Sequence, residues 1–289
     1  MDSQNGGSSS PERKEQGRAC SRRGLLGAAA AFVAGGCAGA VVGARVPAAP
    51  APEVPPLPWK WAEIDPLEAG RRAYRMYFHK TRGGCGTGAY LGILSLLKEK
   101  VGYPWTTLPD MMMSHAAAGY GGHGTLCGSL GGASCIINLA AFDEKGQTFR
   151  QMIDRLFYWY TNQEFPTDRF DDISEMPGQV RVRAMSPLCH TSVSKWALAA
   201  GEEISSKAKK ERGAKVCGEV VYTVVHAMNE YFAGRWTPPR WEPSEETRHC
   251  IECHGPDDMW HTKPGLNHQQ GHMECLMCHE DHTKDDGKQ

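Results

Sequence analysis

Two short strings near the carboxyl end contain the residues best suited to chemistry. Residues 249–254 read HisCysIleGluCysHis and residues 274–279 read GluCysLeuMetCysHis, so each string ends in Cys-x-x-Cys-His. This spacing is typical of covalent c-type haem attachment, in which two thiols add to the haem vinyl groups and the adjoining histidine becomes an axial iron ligand. The sequence therefore predicts two haem c groups. One is held by Cys250, Cys253 and His254, and the other by Cys275, Cys278 and His279.

The alternative for these cysteines is a zinc site. Cys253 and Cys275 are separated by 21 residues, which is close to the spacing of a four-cysteine zinc module. Zinc would leave most of the histidines unexplained, because seven of the 12 in the chain lie in 249–289. The same segment has few branched aliphatic residues and cannot build a core of its own, so we expect its folding to be coupled to cofactor attachment.

Each haem needs a second histidine on its far face if it is low-spin and only transfers electrons. His282 follows His279 by three residues, so it suits the neighbouring haem better than the far face of its own. The other candidates flank the motifs, lie in the loop between them, or lie in the upstream region, where a partner subunit could present them: His115, His249, His261, His268 and His272.

The amino-terminal residues predict where the protein goes. Ser21-Arg22-Arg23-Gly24 precedes a weakly hydrophobic Ala/Gly-rich run that ends near Ala44, and this order is typical of a twin-arginine export signal. We assign residues 1–49 to that signal, 50–64 to a proline-rich linker, and the mature protein to the periplasm. A retained membrane anchor is the alternative, but glycine and alanine make 24–44 a poor spanning helix.

The net charge and the cysteine content limit the binding partners and cofactors that the sequence allows. The formal net charge is −1, which gives no strong attraction to nucleic acid or to a membrane surface. Of the 11 cysteines, four lie in the haem motifs and two in the leader. The twin-arginine route carries proteins that fold around a cofactor in the cytoplasm, whereas haem c is attached after export. We therefore expect a second cofactor upstream, although disulfides are an alternative use for the remaining cysteines: Cys85, Cys127, Cys135, Cys189 and Cys217.

The upstream region has the periodicity of helices. Apolar residues recur at helical spacing in seven segments, and a short strand-like alternation covers 179–183. We expect a mainly α fold, in which a helical bundle at 65–236 precedes a small, loop-rich dihaem segment at 237–289. The seven predicted helices are 66–80, 83–99, 108–118, 125–142, 147–162, 189–200 and 203–233.

Three of the upstream cysteines share one context. Cys85, Cys127 and Cys189 each follow glycine or proline at or near a predicted helix start, where unpaired amide groups stabilise a thiolate. Cys217, in the last long helix, could complete a set of metal ligands, and Cys135 could replace one of them. The alternative is that all five are small buried hydrophobic residues.

At these cysteines the sequence resembles a known family. Gly83-Gly84-Cys85-Gly86 precedes an apolar helix, and 124–131 read GlyThrLeuCysGlySerLeuGly before Cys189 and Cys217. This order resembles the family named for its C–GCAxxG–C–C pattern, although Leu126 and Gly128 depart from that pattern. With the two haem motifs, residues 65–289 are similar to the split-Soret cytochromes c.

The resemblance implies a periplasmic homodimer with a helical iron–sulfur domain and two closely stacked bis-histidine haems in each subunit. It also implies that Cys85, Cys127, Cys189 and Cys217 are the cysteines associated with a cluster of two or four irons.

The sequence favours an electron-transfer protein over an enzyme, because no acid/base pair or nucleophile triad is recognisable. Acidic residues outnumber lysines around the haem motifs, which predicts docking to basic redox partner proteins. The alternative is a haem enzyme that reduces a small ligand at a five-coordinate iron.

Overall fold

Eight helices make up most of the regular structure in residues 53–238, 242–255 and 272–282, the part of the chain that the computed structural model describes. The predicted export signal and the loop histidines His261 and His268 lie outside these residues. The helices are α1 (Pro66–Tyr77), α2 (Cys85–Lys100), α3 (Ala117–Tyr120), α4 (Gly128–Ala141), α5 (Thr148–Asn162), α6 (Cys189–Ala200), α7 (Lys207–Phe232) and α8 (Glu245–His254).

The core lies around α2, which packs against α1, α4 and α7. Leu94 and Leu97 of α2 are fully buried, as are Val220 and Val221 of α7. The ends of these helices follow from local chemistry. The Asp65 side chain accepts hydrogen bonds from the first amides of α1, and the Ser206 hydroxyl accepts one from the first turn of α7. The predicted mainly α fold is confirmed.

The single helix predicted at 108–118 is wrong. Two short 3₁₀ turns, Trp105–Thr107 and Ser114–Ala116, occupy this region and lead into α3. Ala117 has an extended ψ of 141°, and Ala118 and Gly119 have left-handed φ values of 52° and 71°, so a continuous helix cannot run to residue 118. The strand-like alternation shrinks to β2 (Val182–Arg183), which pairs antiparallel with β1 (Glu164–Phe165).

Residues 53–64, which we assigned to a linker, pack on the bundle. Trp59 and Trp61 are each only 7% exposed, and Ile64 is 1% exposed. The Trp59 amide donates to the Leu139 carbonyl at 2.8 Å, and the Trp61 indole donates to Asn229 Oδ1 at 3.0 Å. The two indole side chains bury apolar surface against the bundle, which we did not expect from the proline-rich composition of the segment.

The haem-motif segment is held together by polar contacts. Glu274 Oε2 accepts hydrogen bonds from Ser244 Oγ at 2.5 Å and from Thr247 Oγ1 at 2.6 Å, and the Cys275 amide donates to Thr247 Oγ1 at 3.3 Å. These bonds join α8 to the 3₁₀ turn Cys275–Met277. Thr247 is the buried residue of α8, and no apolar side chain is fully buried in 242–255 or 272–282.

None of the helices in the described part of the chain has both the length and the hydropathy that a bilayer span requires.

Candidate functional site

Three of the upstream cysteines lie at helix starts, as the sequence predicts. Cys85 is the first residue of α2, Cys127 is the N-cap of α4, and Cys189 is the first residue of α6. Cys217 lies midway along α7 and is fully buried. Each helix start presents backbone amides that have no partner within the helix. Three positive helix ends thus lie next to sulfur atoms.

A short backbone bridge joins two of these helix starts. Leu126 and Leu188 form an antiparallel β-bridge, in which the Cys127 amide donates to the Pro187 carbonyl at 2.9 Å. The Cys189 amide returns a bond to the Thr125 carbonyl at 2.7 Å. Residues from distant parts of the sequence are thereby fixed side by side.

Two glycines make room for the other two sulfurs. A Cβ atom on Gly128 would lie 2.6 Å from Cys85 Sγ, and one on Gly88 would lie 2.7 Å from Cys217 Sγ. Either contact is too close for a side chain, so glycine is needed at both positions. Cys217 Sγ also lies 3.4 Å from the Cys85 carbonyl oxygen, to which it donates. We call the group Cys85, Cys127, Cys189 and Cys217 the thiol pocket.

The thiols of the pocket influence one another. Burial raises the pKa of Cys189 to about 12, with further increases from Cys127 and Cys85, while Lys209 and Arg212 oppose the shift. Burial also raises the pKa of Cys217, and Cys85 and Cys127 add to that increase, while a hydrogen bond from Ser129 opposes it. Such thiols stay protonated and unreactive unless a bound cation displaces their protons.

The pKa of Cys85 shows the effect of the helix ends. Burial raises it first and Cys127 raises it further, but hydrogen bonds from the backbone amides of Ala118, Gly128 and Gly86 oppose the increase. These amides are ready donors for a sulfur that carries negative charge. The pocket therefore fits a thiolate-bound metal centre.

Cys135 is the fifth upstream cysteine and is not a member of the thiol pocket as defined above. It is half-buried on α4, and burial is the one cause that raises the pKa of its thiol. No member of the thiol pocket contributes to that shift. Burial and then Cys85, Cys127 and Cys135 raise the pKa of Tyr120, so this side chain lies near both Cys135 and the thiol pocket.

The pocket is not a preformed site for a single ion. In residues 53–238, 242–255 and 272–282, no three His, Cys, Asp or Glu side chains stand together in the arrangement of a mononuclear metal site. Ligands of a polynuclear cluster bind different iron atoms and lie further apart than the ligands of one ion.

The two haem motifs lie against each other. Burial and then the Cys275 thiol raise the pKa of Cys250, so these two sulfurs of different motifs are neighbours. His254 faces His282, with their Nε2 atoms 3.4 Å apart and their ring planes at 81°. Two imidazoles that bind one metal ion from opposite sides at about 2 Å each have their nitrogens about 4 Å apart. The two nitrogens of this pair are in contact at a separation somewhat shorter than that, and they face each other as two axial ligands of one iron would.

The other candidate distal histidines differ in their surroundings. His115 is exposed on the bundle with Nδ1 3.1 Å from the Met112 carbonyl, and His249 is exposed with Nδ1 3.6 Å from Glu252. The His272 side chain is only 11% exposed, and its Nδ1 lies 2.7 Å from Asp154 Oδ1. A carboxylate on Nδ1 fixes an imidazole so that Nε2 is the ligating nitrogen.

Asp154 belongs to α5 of the bundle, so this contact joins the haem segment to the helical domain. Sequence reasoning missed it, because Asp154 lies 118 residues before His272 and shares no motif with it.

Comparison with known proteins identifies the family. Residues 92–231 match the family described as "Putative redox-active protein (C_GCAxxG_C_C)", a range that includes Cys127, Cys189 and Cys217 and begins shortly after Cys85. The chain is also 30% identical over 227 residues to the split-Soret cytochrome c of Desulfovibrio desulfuricans, covering 76% of this chain and 77% of that protein. The chain belongs to the split-Soret cytochrome c family.

A solved structure agrees with this membership. It is described as showing a novel iron centre in the split-Soret cytochrome c from Desulfovibrio desulfuricans. The match has a TM-score of 0.68 at 30% identity and covers 77% of this chain and 90% of that chain. The family predicted from the cysteine order is thus confirmed, and its fold is that of a split-Soret cytochrome c.

Proposed function

We propose that this chain is a periplasmic dihaem c-type cytochrome with an iron–sulfur centre, and that it transfers electrons between redox partner proteins. Cys250 and Cys253 hold one haem, and Cys275 and Cys278 hold the other. His254 and His279 are the proximal ligands. The bound haems and cluster supply one-electron chemistry, and the protein positions them and excludes water.

The observation that carries the proposal is the facing pair His254 and His282. Their contact, with the Nε2 atoms 3.4 Å apart, joins a residue of the first motif to one that follows the second motif, and this pairing supports a six-coordinate haem between them. A haem closed on both faces transfers electrons and leaves no position for a substrate. We assign His282 as the distal ligand of the first haem on this basis.

His272 is the next axial ligand that we assign. Its contact with Asp154 is the kind of outer contact that orients a metal-bound histidine, and its side chain is only 11% exposed. The bond also supports a fixed position of the haem segment against α5, which favours electron transfer between the haems and the bundle.

The thiol pocket supports the second cofactor. Four cysteines influence one another around three helix starts, and amides of α2 and α4 face Cys85. We propose that they bind a cluster of more than one iron, since no mononuclear ligand set is formed in the described residues. The iron centre of the Desulfovibrio desulfuricans relative supports this assignment.

We also propose a cellular location and an oligomeric state for this chain. The twin-arginine string in residues 1–49 supports export, and the acidic residues around 249–289 support docking to basic partners. The family resemblance supports a homodimer. We propose that residues 237–289 form the segment that carries both haems.

The test is the cofactor content of protein purified from its native export route. We expect two covalent haems per chain, more than two irons per chain and acid-labile sulfide. We also expect no carbon monoxide binding after reduction. Equal amounts of iron and haem would remove the cluster, and stoichiometric carbon monoxide binding to the wild-type protein would indicate an open haem site instead.

A further inference from the structure

A buried arginine lies on the apolar face of α7. Arg212 is only 3% exposed and occupies the same face as Val216 and Val220, which follow it at intervals of four residues. Its Nη2 donates to Ser192 Oγ at 2.7 Å. Its Nε is buried and has no hydrogen-bond partner. Burying a guanidinium in this position destabilises the folded protein unless a negative charge compensates it.

No carboxylate of the described chain supplies that charge through an ion pair, since none has an oxygen within 4.0 Å of the Arg212 nitrogens. The neighbouring acid Glu211 bonds instead to Tyr74 and Ser174. Glu219 is within electrostatic reach of Arg212 but forms no ion pair with it, and its Oε1 accepts a hydrogen bond from the Thr167 amide at 2.6 Å instead.

Lys215 provides a direct contrast on the same helix. It is also fully buried, three residues further along, but its Nζ pairs with Asp171 and donates to the Met176 carbonyl at 2.7 Å. One buried cation of α7 therefore forms an ion pair with a carboxylate, and the other does not.

The contacts of Arg212 lead toward the thiol pocket. Ser192, which accepts from Arg212, also accepts from the Tyr160 hydroxyl at 2.9 Å, and Tyr160 is a neighbour of Cys127. Ser192 lies one helical turn after Cys189 on α6. The positive charges of Lys209 and then of Arg212 both lower the pKa of Cys189, but Lys209 is partly exposed whereas Arg212 is buried. The guanidinium thus lies beside the one place in the bundle where several thiolates would form together.

We infer that Arg212 is the buried counter-ion of the iron centre and raises its reduction potential. This inference rests on the proposed function. A thiolate-bound iron centre is anionic, and reduction adds one electron and one further negative charge without requiring a proton. A nearby fixed positive charge stabilises the reduced form more than the oxidised form, so the potential rises. Arg212 is a positioning residue, since it does not bind iron.

The experiment compares Arg212→Met with the matched control Lys215→Met in the full-length, haem-loaded protein. The readouts are iron and sulfide per chain, the midpoint potential of the iron centre followed by its own electron paramagnetic resonance signal, and the thermal midpoint after the cluster iron is removed. Neither substitution touches a haem ligand, so the haem potentials serve as an internal reference.

We expect Arg212→Met to shift the redox equilibrium of the iron centre at least tenfold toward the oxidised form, which is about 60 mV for one electron. Removing an uncompensated buried charge should leave the cluster-free protein at least as stable as the wild type. Lys215→Met should leave the potential unchanged and lower the thermal midpoint with or without the cluster, because it strands Asp171.

Two outcomes overturn the inference. One is an unchanged iron-centre potential in Arg212→Met, and the other is a loss of cluster-free stability as large as that of Lys215→Met. If Arg212→Met does not retain iron, Arg212→Lys decides: retention of iron by the lysine variant supports the need for positive charge, and loss from both overturns it. A wild-type protein without non-haem iron would instead refute the proposed function itself.

Discussion

The helical bundle and the haem segment are stabilised in different ways. The bundle buries leucines of α2 and valines of α7 in a core made of its own side chains, and Cys127 and Cys217 of the thiol pocket belong to that core. In 242–255 and 272–282, the described residues of the haem segment, Thr247 is the buried residue, and the two motifs meet through the carboxylate of Glu274. We therefore expect the iron centre to bind within a core that the bundle already has, and the haems to supply the core of the haem segment.

Removing the haems tests this difference most severely. We expect replacement of Cys250, Cys253, Cys275 and Cys278 by alanine to leave the helical circular dichroism of the bundle intact while the segment after residue 236 loses its structure. Protease should then cleave that segment on the order of 100-fold faster, which corresponds to a loss of about 3 kcal/mol in local stability. Equal protection in the two proteins would show that the segment folds without haem.

Removing one thiol tests the bundle. We expect Cys217→Ala to lower non-haem iron more than about tenfold, because a buried ligand is lost, while both haems and the helical content remain. Cys135→Ala is the matched control on a cysteine outside the thiol pocket and should retain the iron. Iron and sulfide analysis with a haem stain measures both. Retention of iron by Cys217→Ala would contradict the assigned ligand set.

Opening one haem distinguishes the two motifs. We expect His282→Ala to bind about one carbon monoxide per chain after reduction, because the first haem loses its sixth ligand and the second keeps its own. His249→Ala removes an exposed histidine of the same segment and should bind none. The absorption change on adding carbon monoxide measures both variants, and the reverse result would move the ligand assignment to His249.

The smallest expected effect concerns the contact between the two regions. Asp154→Asn removes the negative charge from His272 Nδ1, so the imidazole becomes a weaker donor and the oxidised iron is less stabilised. We expect the potential of one haem to rise by about 60 mV, a tenfold change in the redox equilibrium. Glu252→Gln, next to exposed His249, is the control and should leave both potentials unchanged in the same redox titration.

The sequence predicted the regions whose information is local. The helices at 189–200 and 203–233 appear as α6 and α7, and Cys85, Cys127 and Cys189 lie at helix starts, because glycine, proline and apolar spacing determine such features over a few residues. The error at 108–118 has a local cause as well: its apolar methionines look helical, but Ala118 adopts a left-handed conformation that composition does not reveal.

The contacts that the sequence did not predict join residues that lie far apart along the chain. Asp154 meets His272, and Trp61 meets Asn229, across more than 100 residues, and no motif announces either contact. Arg212 is a different case. Its position on the face of Val216 and Val220 predicts burial by helical periodicity alone, whereas its lack of a carboxylate partner follows only from the three-dimensional packing.

The thiol pocket draws its sulfurs from residues 85 to 217, and its last wall is α7. A ribosome must therefore complete more than two thirds of the protein before that pocket exists. On the proposed function, iron can therefore enter the pocket only after α7 has been made. A truncated product that ends before α7 would carry three of the four thiols and would lack Cys217.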